Sequence, residues 1–504
     1  MIALALAWII LYRAAVVLGD LLLRALGAPP PATQPDADHW FLTFWTGLLA
    51  LASATLAVTL VAPAPYAAPL LLFALFPRAA QTPLKPPRHF WFIAAAMTYT
   101  ASSPVRLYDT ALYHQPAIEW MSAEGLTPGL ALLHFRFGFS SSWLALTSLF
   151  NTGVLIHRTG PLITALALIA VLTQWMSLYR QNNTNASRFY LAGLPLLLLF
   201  YFLDSALVSP SPNLAAALAV FCGLWLLLRS PAHPASLALA AGALAIKLSA
   251  APLAAIALLR APRRAFLFFA LVLPFLLANY QTTGCPLFPA TLACTGGPSA
   301  LPLTQVREVA FETLNWARYA GFYPRDAAYF SLGWLPRNLA VPRNALVAAL
   351  VLASLITLIA RRRLTLPIAA AALGSLYVYA AAPDPRFGAA FLLALPALAL
   401  PPIPWPPIPH RTLLAVLALV LTAGAFLGER LSHWNSPDPR YAFSITRLLL
   451  PAEAWVPESA TTALINGIPI HRPHATDRCG AHPQPCTPYP VPPTLHRTGR
   501  AWAR

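Results

Sequence analysis

The residues of this chain that could take part in chemistry begin with "LYDTALYHQP", a stretch that starts at Leu107. The titratable side chains in and just after it are those of Tyr108, Asp109, Tyr113, His114, Glu119 and His134. A carboxylate within hydrogen-bond reach of a hydroxyl can act as a general base, and Asp109 is the candidate for that role. In the structural alternative, Asp109 only caps a helix that Gly125 ends. His114 is then a hydrogen-bonded structural histidine, and Glu119 and Glu124 are solvated charges at the membrane interface.

Candidate cationic groups lie in later stretches of the chain. Lys247 is at the centre of the apolar sequence "GALAIKLSAAP". Arg386 lies in "APDPRFG", a turn that Asp384 can stiffen by bonding nearby backbone N–H groups. A guanidinium in such a turn suits bidentate binding of a phosphate group, and Arg318 and Arg325 are further candidates. The alternatives are that Lys247 snorkels to the interface and that the arginines anchor helix ends to lipid headgroups.

The composition indicates that these residues belong to a membrane protein. The chain has 504 residues, of which 58% are hydrophobic and 10% are charged, whereas about 25% are charged in soluble domains. The N-terminal sequence "MIALALAWIILYR" predicts a retained first helix, since it lacks a basic leader and a cleavage site. The net charge of +17 does not indicate nucleic acid binding, because the basic residues lie between apolar segments and form no aromatic-rich patch.

Apolar segments long enough to cross a hydrocarbon core of ~30 Å recur along the chain, and we predict an all-α polytopic membrane protein whose bundle contains about thirteen transmembrane helices. The candidate spans are residues 2–19, 41–62, 66–77, 89–103, 161–179, 188–203, 213–229, 235–259, 264–280, 344–360, 364–382, 387–404 and 410–428. They form a transmembrane domain over residues 1–430, and residues 431–504 form a small extracytoplasmic tail.

The charges between the spans predict which loops share a side of the membrane. Short intervals, such as those at Arg229 and Arg361, carry arginine or lysine and no acid. Longer intervals carry acids as well, and the two largest are the loops 104–160 and 281–343. By the positive-inside rule the short intervals are cytoplasmic and the long ones extracytoplasmic. The sequence before residue 78 has no clear charge bias.

This alternation depends on how the segment 235–259 crosses the membrane. As one helix it would put Lys247 at mid-bilayer, at a cost of roughly 3 kcal/mol, and it would reverse the sidedness of every later loop. As two half-length helices that meet at Lys247, it restores the alternation. Helices of about twelve residues reach only ~18 Å, so they would have to lie inside a bundle. We favour the hairpin.

The cysteines are distributed in agreement with that topology. Cys222 lies within a predicted span and is interpreted as a packing residue. The other four are in extracytoplasmic segments: Cys285, Cys294, Cys479 and Cys486. Their short spacing in an oxidising compartment favours the local pairs 285–294 and 479–486, although four cysteines allow three pairings and metal binding is the alternative.

A resemblance to a known superfamily follows from these motifs. A loop acid followed by an amphipathic helix, a multi-helix bundle, and Lys and Arg near the outer bilayer surface resemble the GT-C superfamily of membrane glycosyltransferases. The chain looks like a distant relative of protein O-mannosyltransferases and lipid A aminoarabinose transferases. The sequences "YDTALYHQPAIEW", "SPSPN", "AIKLSA", "GCPLFP", "PDPRFG" and "DRC…PCTP" resemble a bacterial membrane family grouped with these enzymes.

The resemblance implies a transferase of the bacterial inner membrane whose active site faces the periplasm. Its donor would be a polyprenyl-phosphate-linked sugar, and its acceptor an envelope glycan, lipid or protein. Asp109 would be the catalytic base, and Lys247, Arg386 and Arg318 would bind the donor phosphate. The supporting residues would be Tyr108, Tyr113, His114, Glu119, His134 and Asp384.

The sequence departs from the superfamily pattern in two places. Asp109 is followed by Tyr113 and His114 and not by a second acid, and Asn213 stands where an aspartate is expected. Asn213 and the serines of "SPSPN" are interpreted as caps of the next span. Both departures weigh against a metal-dependent mechanism, so a divalent cation is kept only as an alternative and no cofactor is certain. A transporter or flippase, or a polymerase or ligase of lipid-linked glycans, are the alternative functions.

Overall fold

The structure of the chain is a computed structural model. The structure describes all residues except 29–36, 74–84, 181–183, 204–206, 322–323, 325–330, 363–364, 402–407, 436–443, 475 and 504. Arg325, part of the predicted span 66–77 and part of the predicted span 387–404 lie outside the described residues.

Eight of the described helices are long and apolar enough to cross a membrane, as in a multi-pass membrane protein. They are α1 (Ile2–Ala25), α2 (Ala37–Thr59), α8 (Leu162–Arg180), α9 (Asn185–Leu203), α10 (Pro212–Arg229), α13 (Ala265–Thr283), α16 (Pro342–Ala360) and α19 (His410–Asn435). Shorter helices complete the bundle: α3 (Ala68–Phe73), α4 (Arg88–Ser102), α11 (Ala235–Ile246), α12 (Ala251–Arg260), α17 (Leu366–Ala381) and α18 (Ala389–Ala399).

The prediction of about thirteen spans is therefore not confirmed. Several apolar segments form helices that are too short to cross a membrane alone, and α18, for example, has only 11 residues. Most of α11 and of α18 is buried inside the bundle. Irregular backbone at membrane depth is tolerated where protein buries it.

The two largest loops and the tail contain further elements outside the long helices. The loop 104–160 has a wide helical turn at Thr110–His114, then α5 (Gln115–Ala123), α6 (Leu130–Leu133) and α7 (Ser142–Leu149). The loop 281–343 has α14 (Leu303–Arg318) and α15 (Leu335–Leu339). The tail has two antiparallel hairpins, β1 (Ala460–Ile465) with β2 (Ile468–Pro473) and β3 (His496–Thr498) with β4 (Ala501–Ala503).

The strands belong to the tail, and the rest of the described fold is helical, in agreement with the predicted all-α membrane class. The first hairpin turns at Asn466–Gly467, where both residues have positive φ. An Asn-Gly pair is strongly preferred in two-residue hairpin turns for this reason. The pair lies in "LINGIPI" and is a local hairpin signal that the sequence interpretation did not use.

Contacts between loops define two ends of the bundle. At one end, Asp38 accepts a hydrogen bond of 3.1 Å from Nε of Arg229, which links the start of α2 to the end of α10. At the other, Gln281 at the end of α13 donates to the carbonyl oxygens of Leu60 and Leu126. We name the first the basic end and the second, which carries the loop 104–160, the loop end.

The N-terminal residue lies at the loop end, in contact with the tail. The Met1 amine donates to the carbonyl of Arg447, and Arg447 donates to the hydroxyls of Ser102 and Ser103 at the end of α4. Helix α1 therefore runs from the loop end to the basic end. The direction of α1 gives the topology of the chain before residue 78, where the sequence has no clear charge bias.

Candidate functional site

The tip of the α11–α12 hairpin holds Lys247 at the loop end. Helix α11 ends at Ile246, and Lys247 is extended, with φ −158° and ψ 135°. Its ammonium donates a hydrogen bond to Oδ1 of Asn213 at the start of α10, and it lies 4.1 Å from the ring centroid of Phe387. The segment 235–259 is thus two helices and not one, as the alternation of loop charges required.

A serine of "SPSPN" caps α10, as the sequence interpretation expected, whereas the Asn213 side chain does not. The hydroxyl of Ser211 is the cap, and it accepts a hydrogen bond from the backbone N–H of Asn213. This leaves the Asn213 amide oxygen available to accept from Lys247. The tertiary contact was invisible in the sequence, because the two residues lie on different helices.

The turn "PDPRFG" places Arg386 beside Lys247. The Asp384 carboxylate accepts from the backbone N–H of Arg386 at 2.9 Å and from its Nε at 3.1 Å. The hydroxyl of Tyr201 donates to the carbonyl of Arg386 and to that of Asn213, which joins the turn to the start of α10. Asp384 therefore stiffens the turn as predicted, and it also orients the guanidinium.

Helix α14 brings aromatic and basic residues against the same turn. The guanidinium of Arg386 lies 4.7 Å from the ring centroid of Trp316. The side-chain amide of Asn338 donates to the carbonyls of Arg318 and Pro383, so the end of α14 is tied to the turn. Arg318 itself lies over the ring of Trp334 at 5.7 Å. A cation on an aromatic face contributes about 0.5–2 kcal/mol.

The helix that carries Asp109 contains a wide turn before Pro116. Residues Thr110–His114 form a π-type turn, and α5 follows directly. Proline lacks an N–H and clashes with the preceding turn of a regular helix, and the wider turn accommodates it. Asp109 precedes this turn, is half-buried, and makes no side-chain capping bond. The capping role considered for Asp109 is therefore wrong.

The charge of Asp109 acts on four neighbouring groups from three parts of the chain. These groups are Tyr113, His114, Arg136 and Lys247. The structure thus brings the candidate base of one loop near the ammonium of a helical hairpin. Arg386 belongs to the same group, because its charge acts on both Tyr113 and Lys247.

Burial keeps the site histidines uncharged near neutral pH. Burial lowers the pKa of His114 to about 4, an effect that Asp109 opposes and that Lys247 and Arg136 reinforce. Burial, with Arg136 next in effect, lowers the pKa of His134 to about 3. Nδ1 of His114 is buried and has no hydrogen-bond partner among the described residues, so His114 is not held as the structural alternative supposed.

Glu119 is not a solvated charge. It is 8% exposed, and its carboxylate accepts hydrogen bonds from the side-chain amides of Gln115 and Asn151. Nδ1 of His157 lies 2.9 Å from the same carboxylate. These contacts fasten α5 to the segment before α8, so Glu119 holds the helix in place and does not face the Asp109 cluster.

Tyr108 contacts the tail and not the interior of the site. Half of the side chain is exposed, its hydroxyl donates to Asp477, and the Arg478 guanidinium lies 4.9 Å from its ring centroid. Burial, followed by the bond to Asp477, raises the pKa of Tyr108 to about 12. The adjacent disulfide Cys479–Cys486 and the disulfide Cys285–Cys294 are both present, and these two pairings are confirmed.

The sequence interpretation did not assign several residues that line the site. Arg136 follows His134, and its backbone N–H donates to the His134 ring. Trp316 and Phe387 provide the aromatic faces, and Tyr489 of the tail accepts a bond of 3.4 Å from Nε of Arg136. The "FRFG" motif, an arginine between aromatic residues, was the available signal for Arg136. No local signal marks Tyr489.

No group of three or more His, Cys, Asp or Glu side chains that could hold a metal ion occurs in the described part of the chain.

Comparison with known proteins gives one family. A family model described as "Domain of unknown function (DUF8201)" matches residues 1–393, well over half of the chain. The chain belongs to the DUF8201 family. The DUF8201 match includes Asp109, Lys247 and Arg386, whereas Tyr489 and the rest of the tail lie beyond it. No curated protein and no solved structure matches the chain.

Proposed function

We propose that the protein is a membrane glycosyltransferase that moves a sugar from a polyprenyl-phosphate donor to an acceptor hydroxyl. One observation carries the proposal. The Asp109 carboxylate lies at the loop end, where its charge acts on Lys247, and Lys247 packs against Phe387 in the turn that holds Arg386. This reaction needs a general base for the acceptor hydroxyl and cationic groups that bind the donor phosphate. The resemblance to GT-C enzymes, which rests in part on these same residues, points to the same function.

In the proposed reaction, the acceptor oxygen attacks the anomeric carbon and Asp109 takes the hydroxyl proton. The bond between the anomeric carbon and the phosphate oxygen breaks, and its electron pair remains on the lipid phosphate. Lys247 and Arg386 stabilise this developing charge, which is where preorganised donors are most effective. Attack opposite the leaving group inverts the anomeric configuration.

Each phosphate-binding group is held before the donor arrives. Asn213 and the Phe387 ring fix the Lys247 ammonium, and Asp384 fixes the Arg386 guanidinium. Preorganisation of this kind avoids reorganisation cost during the reaction. Arg343, whose guanidinium lies 3.6 Å from Asp384, and Arg318 add positive charge around the turn.

We infer that the loop end faces the periplasm and that the protein lies in a bacterial inner membrane. The arginine-rich intervals without acids would then be cytoplasmic. The donor tail would enter between helices from the bilayer. Lys247 at a hairpin tip favours an enzyme over a carrier, because carriers bind their substrates near the midplane.

The test is a transfer assay with purified protein in lipid nanodiscs and a panel of polyprenyl-phosphate and polyprenyl-diphosphate sugars. We expect transfer from a monophosphate donor, and activity with diphosphate donors alone would indicate a polymerase or ligase. Asp109→Asn should lower kcat by about 10²–10⁴-fold without loss of thermal stability. Asp20→Asn is the matched control, because Asp20 pairs with Arg24 on α1, away from the site. An active Asp109→Asn enzyme would show that the base is assigned to the wrong residue.

A further inference from the structure

Two histidines of the tail lie against each other at the loop end. The ring centroids of His471 and His482 are 4.7 Å apart, and the ring planes make an angle of 55°. His471 is on β2, whereas His482 is in the segment 479–486, which a disulfide closes and which we name the disulfide loop. Both side chains are half-buried, so solvent reaches the pair. The proposed transfer reaction uses neither histidine.

The backbone fixes the two segments that carry these rings. The N–H of His471 donates to the carbonyl of Pro485 at 2.9 Å, and the N–H of Thr487 donates to the carbonyl of His471 at 3.0 Å. Strand β2 is thus bonded directly to the end of the disulfide loop. The disulfide in turn limits how far His482 can move from that strand.

The hydrogen bonds of the two rings leave one nitrogen of each ring available. Nδ1 of His482 lies 3.2 Å from the carbonyl oxygen of Pro483, which can only accept, so Nδ1 carries the proton and Nε2 the lone pair. Nδ1 of His471 lies 2.9 Å from the hydroxyl of Thr462, which can accept in the same way. Within the described chain, neither Nε2 has a hydrogen-bond partner. Histidines that bind metals usually have this arrangement, with the second ring nitrogen bonded to an oxygen.

The spacing of the rings fits two ligands of one metal ion. A bond of about 2.0–2.1 Å from zinc to nitrogen places the ion about 3.2 Å from the centre of an imidazole ring. Two such ligands at about 90–110° around the ion have ring centroids about 4.5–5.2 Å apart. The observed separation of 4.7 Å lies within that range.

The proximity of the rings also favours the form of histidine that binds metals. Burial, followed by the charge of His482, lowers the pKa of His471. A metal ion binds the neutral imidazole, and protons compete with it for the same nitrogen. A lower pKa therefore reduces this competition near neutral pH.

We propose that His471 and His482 bind one divalent transition-metal ion through their Nε2 atoms. Imidazole suits Zn²⁺, Cu²⁺ and Ni²⁺, whereas Mg²⁺ and Ca²⁺ prefer oxygen ligands. The described residues offer no third His, Cys, Asp or Glu ligand, so water completes the coordination.

The bound ion would connect β2 with the disulfide loop. Within that loop, the N–H of Gly480 donates to the carbonyl of Ala111, in the wide turn that follows Asp109. The ion would therefore stabilise the part of the tail that packs against this turn. This structural role does not depend on the transfer reaction.

The test uses the full-length protein, purified without a histidine tag and stripped of metal with EDTA. Isothermal titration calorimetry should show one Zn²⁺ or one Cu²⁺ per chain, with Cu²⁺ bound more tightly, and no saturable binding of Mg²⁺. Pulsed electron paramagnetic resonance of the Cu²⁺ form should detect two coordinated imidazoles. Zn²⁺ should also raise the melting temperature, because it binds only the folded site.

Variants of the two histidines assign the ligands. His471→Asn and His482→Asn should each bind Zn²⁺ at least about tenfold more weakly and show at most one imidazole on Cu²⁺. Their melting temperatures in EDTA should equal that of the wild type, which separates loss of a ligand from loss of the fold. Thr462→Val removes the partner of the His471 ring and should weaken Zn²⁺ binding by about tenfold or more.

Two other histidine variants are matched controls and should bind Zn²⁺ as the wild type does. His474→Asn changes an exposed histidine just after β2. His410→Asn removes one ring of a second histidine pair, at the basic end, where Nε2 of His89 already lies 2.9 Å from the carbonyl oxygen of Thr173. Absence of saturable Zn²⁺ binding, or wild-type affinity in both His471→Asn and His482→Asn, would overturn the proposal.

Discussion

At the scale of single residues, the cations of the site differ in how their charge is compensated. Arg386 is paired with Asp384, and Lys247 donates to the neutral amide of Asn213. Arg136 rests against aromatic rings and a tyrosine hydroxyl. Among the described residues, Arg386 thus has an ion-pair partner at hydrogen-bond distance, whereas Lys247 and Arg136 are held by neutral groups.

The buried histidines predict how stability depends on pH. The pKa of His114 is about 4 in the folded protein, and that of an unfolded histidine is about 6.5. The unfolded chain thus binds a proton that the folded protein does not, and stability falls as the pH decreases from about 6.5 towards 4. Each such group contributes up to about 1.4 kcal/mol per pH unit to the slope of the free energy of unfolding against pH. His114→Gln should lower the slope by this amount.

Thermal unfolding in detergent, followed between about pH 7 and pH 5, measures this effect. His496→Gln is the control, because that imidazole is exposed on β3 and changing it leaves the buried histidines intact. Equal slopes for His114→Gln and the wild type would mean that His114 is not buried as a neutral group.

At the scale of elements, the site is formed where regular helices are interrupted. Lys247 lies at the break between α11 and α12, Arg386 in the turn between α17 and α18, and Asp109 before the wide turn that precedes α5. Interrupted helices expose backbone and side chains at the bundle end, and π-type turns occur frequently at functional sites. The regular helices between these breaks fix their relative positions.

The crossing of α1 and α2 is one such fixed contact, and it depends on glycine. A Cβ atom at Gly47 would lie 1.7 Å from the carbonyl oxygen of Ala15, and one at Gly19 would lie 1.9 Å from that of Thr43. Backbone atoms cannot move aside as a side chain can. Gly47→Ala should therefore destabilise the protein by at least about 1–3 kcal/mol, the usual cost of overpacking.

This prediction is checked by the melting temperature and the yield of monodisperse protein in detergent. Gly424→Ala is the matched control on α19, where a Cβ atom would meet Phe202 at an ordinary distance of 3.6 Å. If both variants melt at the same temperature, the two helices are not in the close contact described.

At the scale of the whole molecule, the tail completes the loop end. Its Gly480 N–H donates to the carbonyl of Ala111, Asp477 accepts from Tyr108, and Tyr489 accepts from Arg136. Arg497 pairs with Glu124 farther along the same loop. The tail therefore packs against the helix that carries Asp109, although it lies beyond the part of the chain that matches the family.

The sidedness of the two ends is a prediction that chemical labelling can test. In a Cys222→Ser background, a membrane-impermeant thiol reagent applied to intact spheroplasts should label Val154→Cys in the loop 104–160 and Leu464→Cys in β1. Both positions are exposed at the loop end. Arg362→Cys, in an exposed turn after α16, should react only after permeabilisation. Labelling of position 362 in intact spheroplasts would reverse the proposed topology.

The sequence alone indicated the membrane class, and it favoured the hairpin at Lys247 and both disulfides. Each depends on local chemistry: apolar length, the excess of arginine in short intervals, and the close spacing of Cys479 and Cys486. It also identified Asp109, Lys247 and Arg386 as unusual polar residues at predicted helix ends. It did not predict the strands of the tail, nor that α17 and α18 would be short.

Which polar residues lie in contact with one another depends on the tertiary structure. Asn213 accepts from Lys247, Glu119 is buried against His157, and Tyr489 reaches Arg136 across 353 positions of the chain. Local sequence fixes where a helix begins and ends, because capping and apolar length are properties of neighbouring residues. Which helix ends share one surface depends on packing between distant segments, and that packing creates the cluster of Asp109, Lys247 and Arg136.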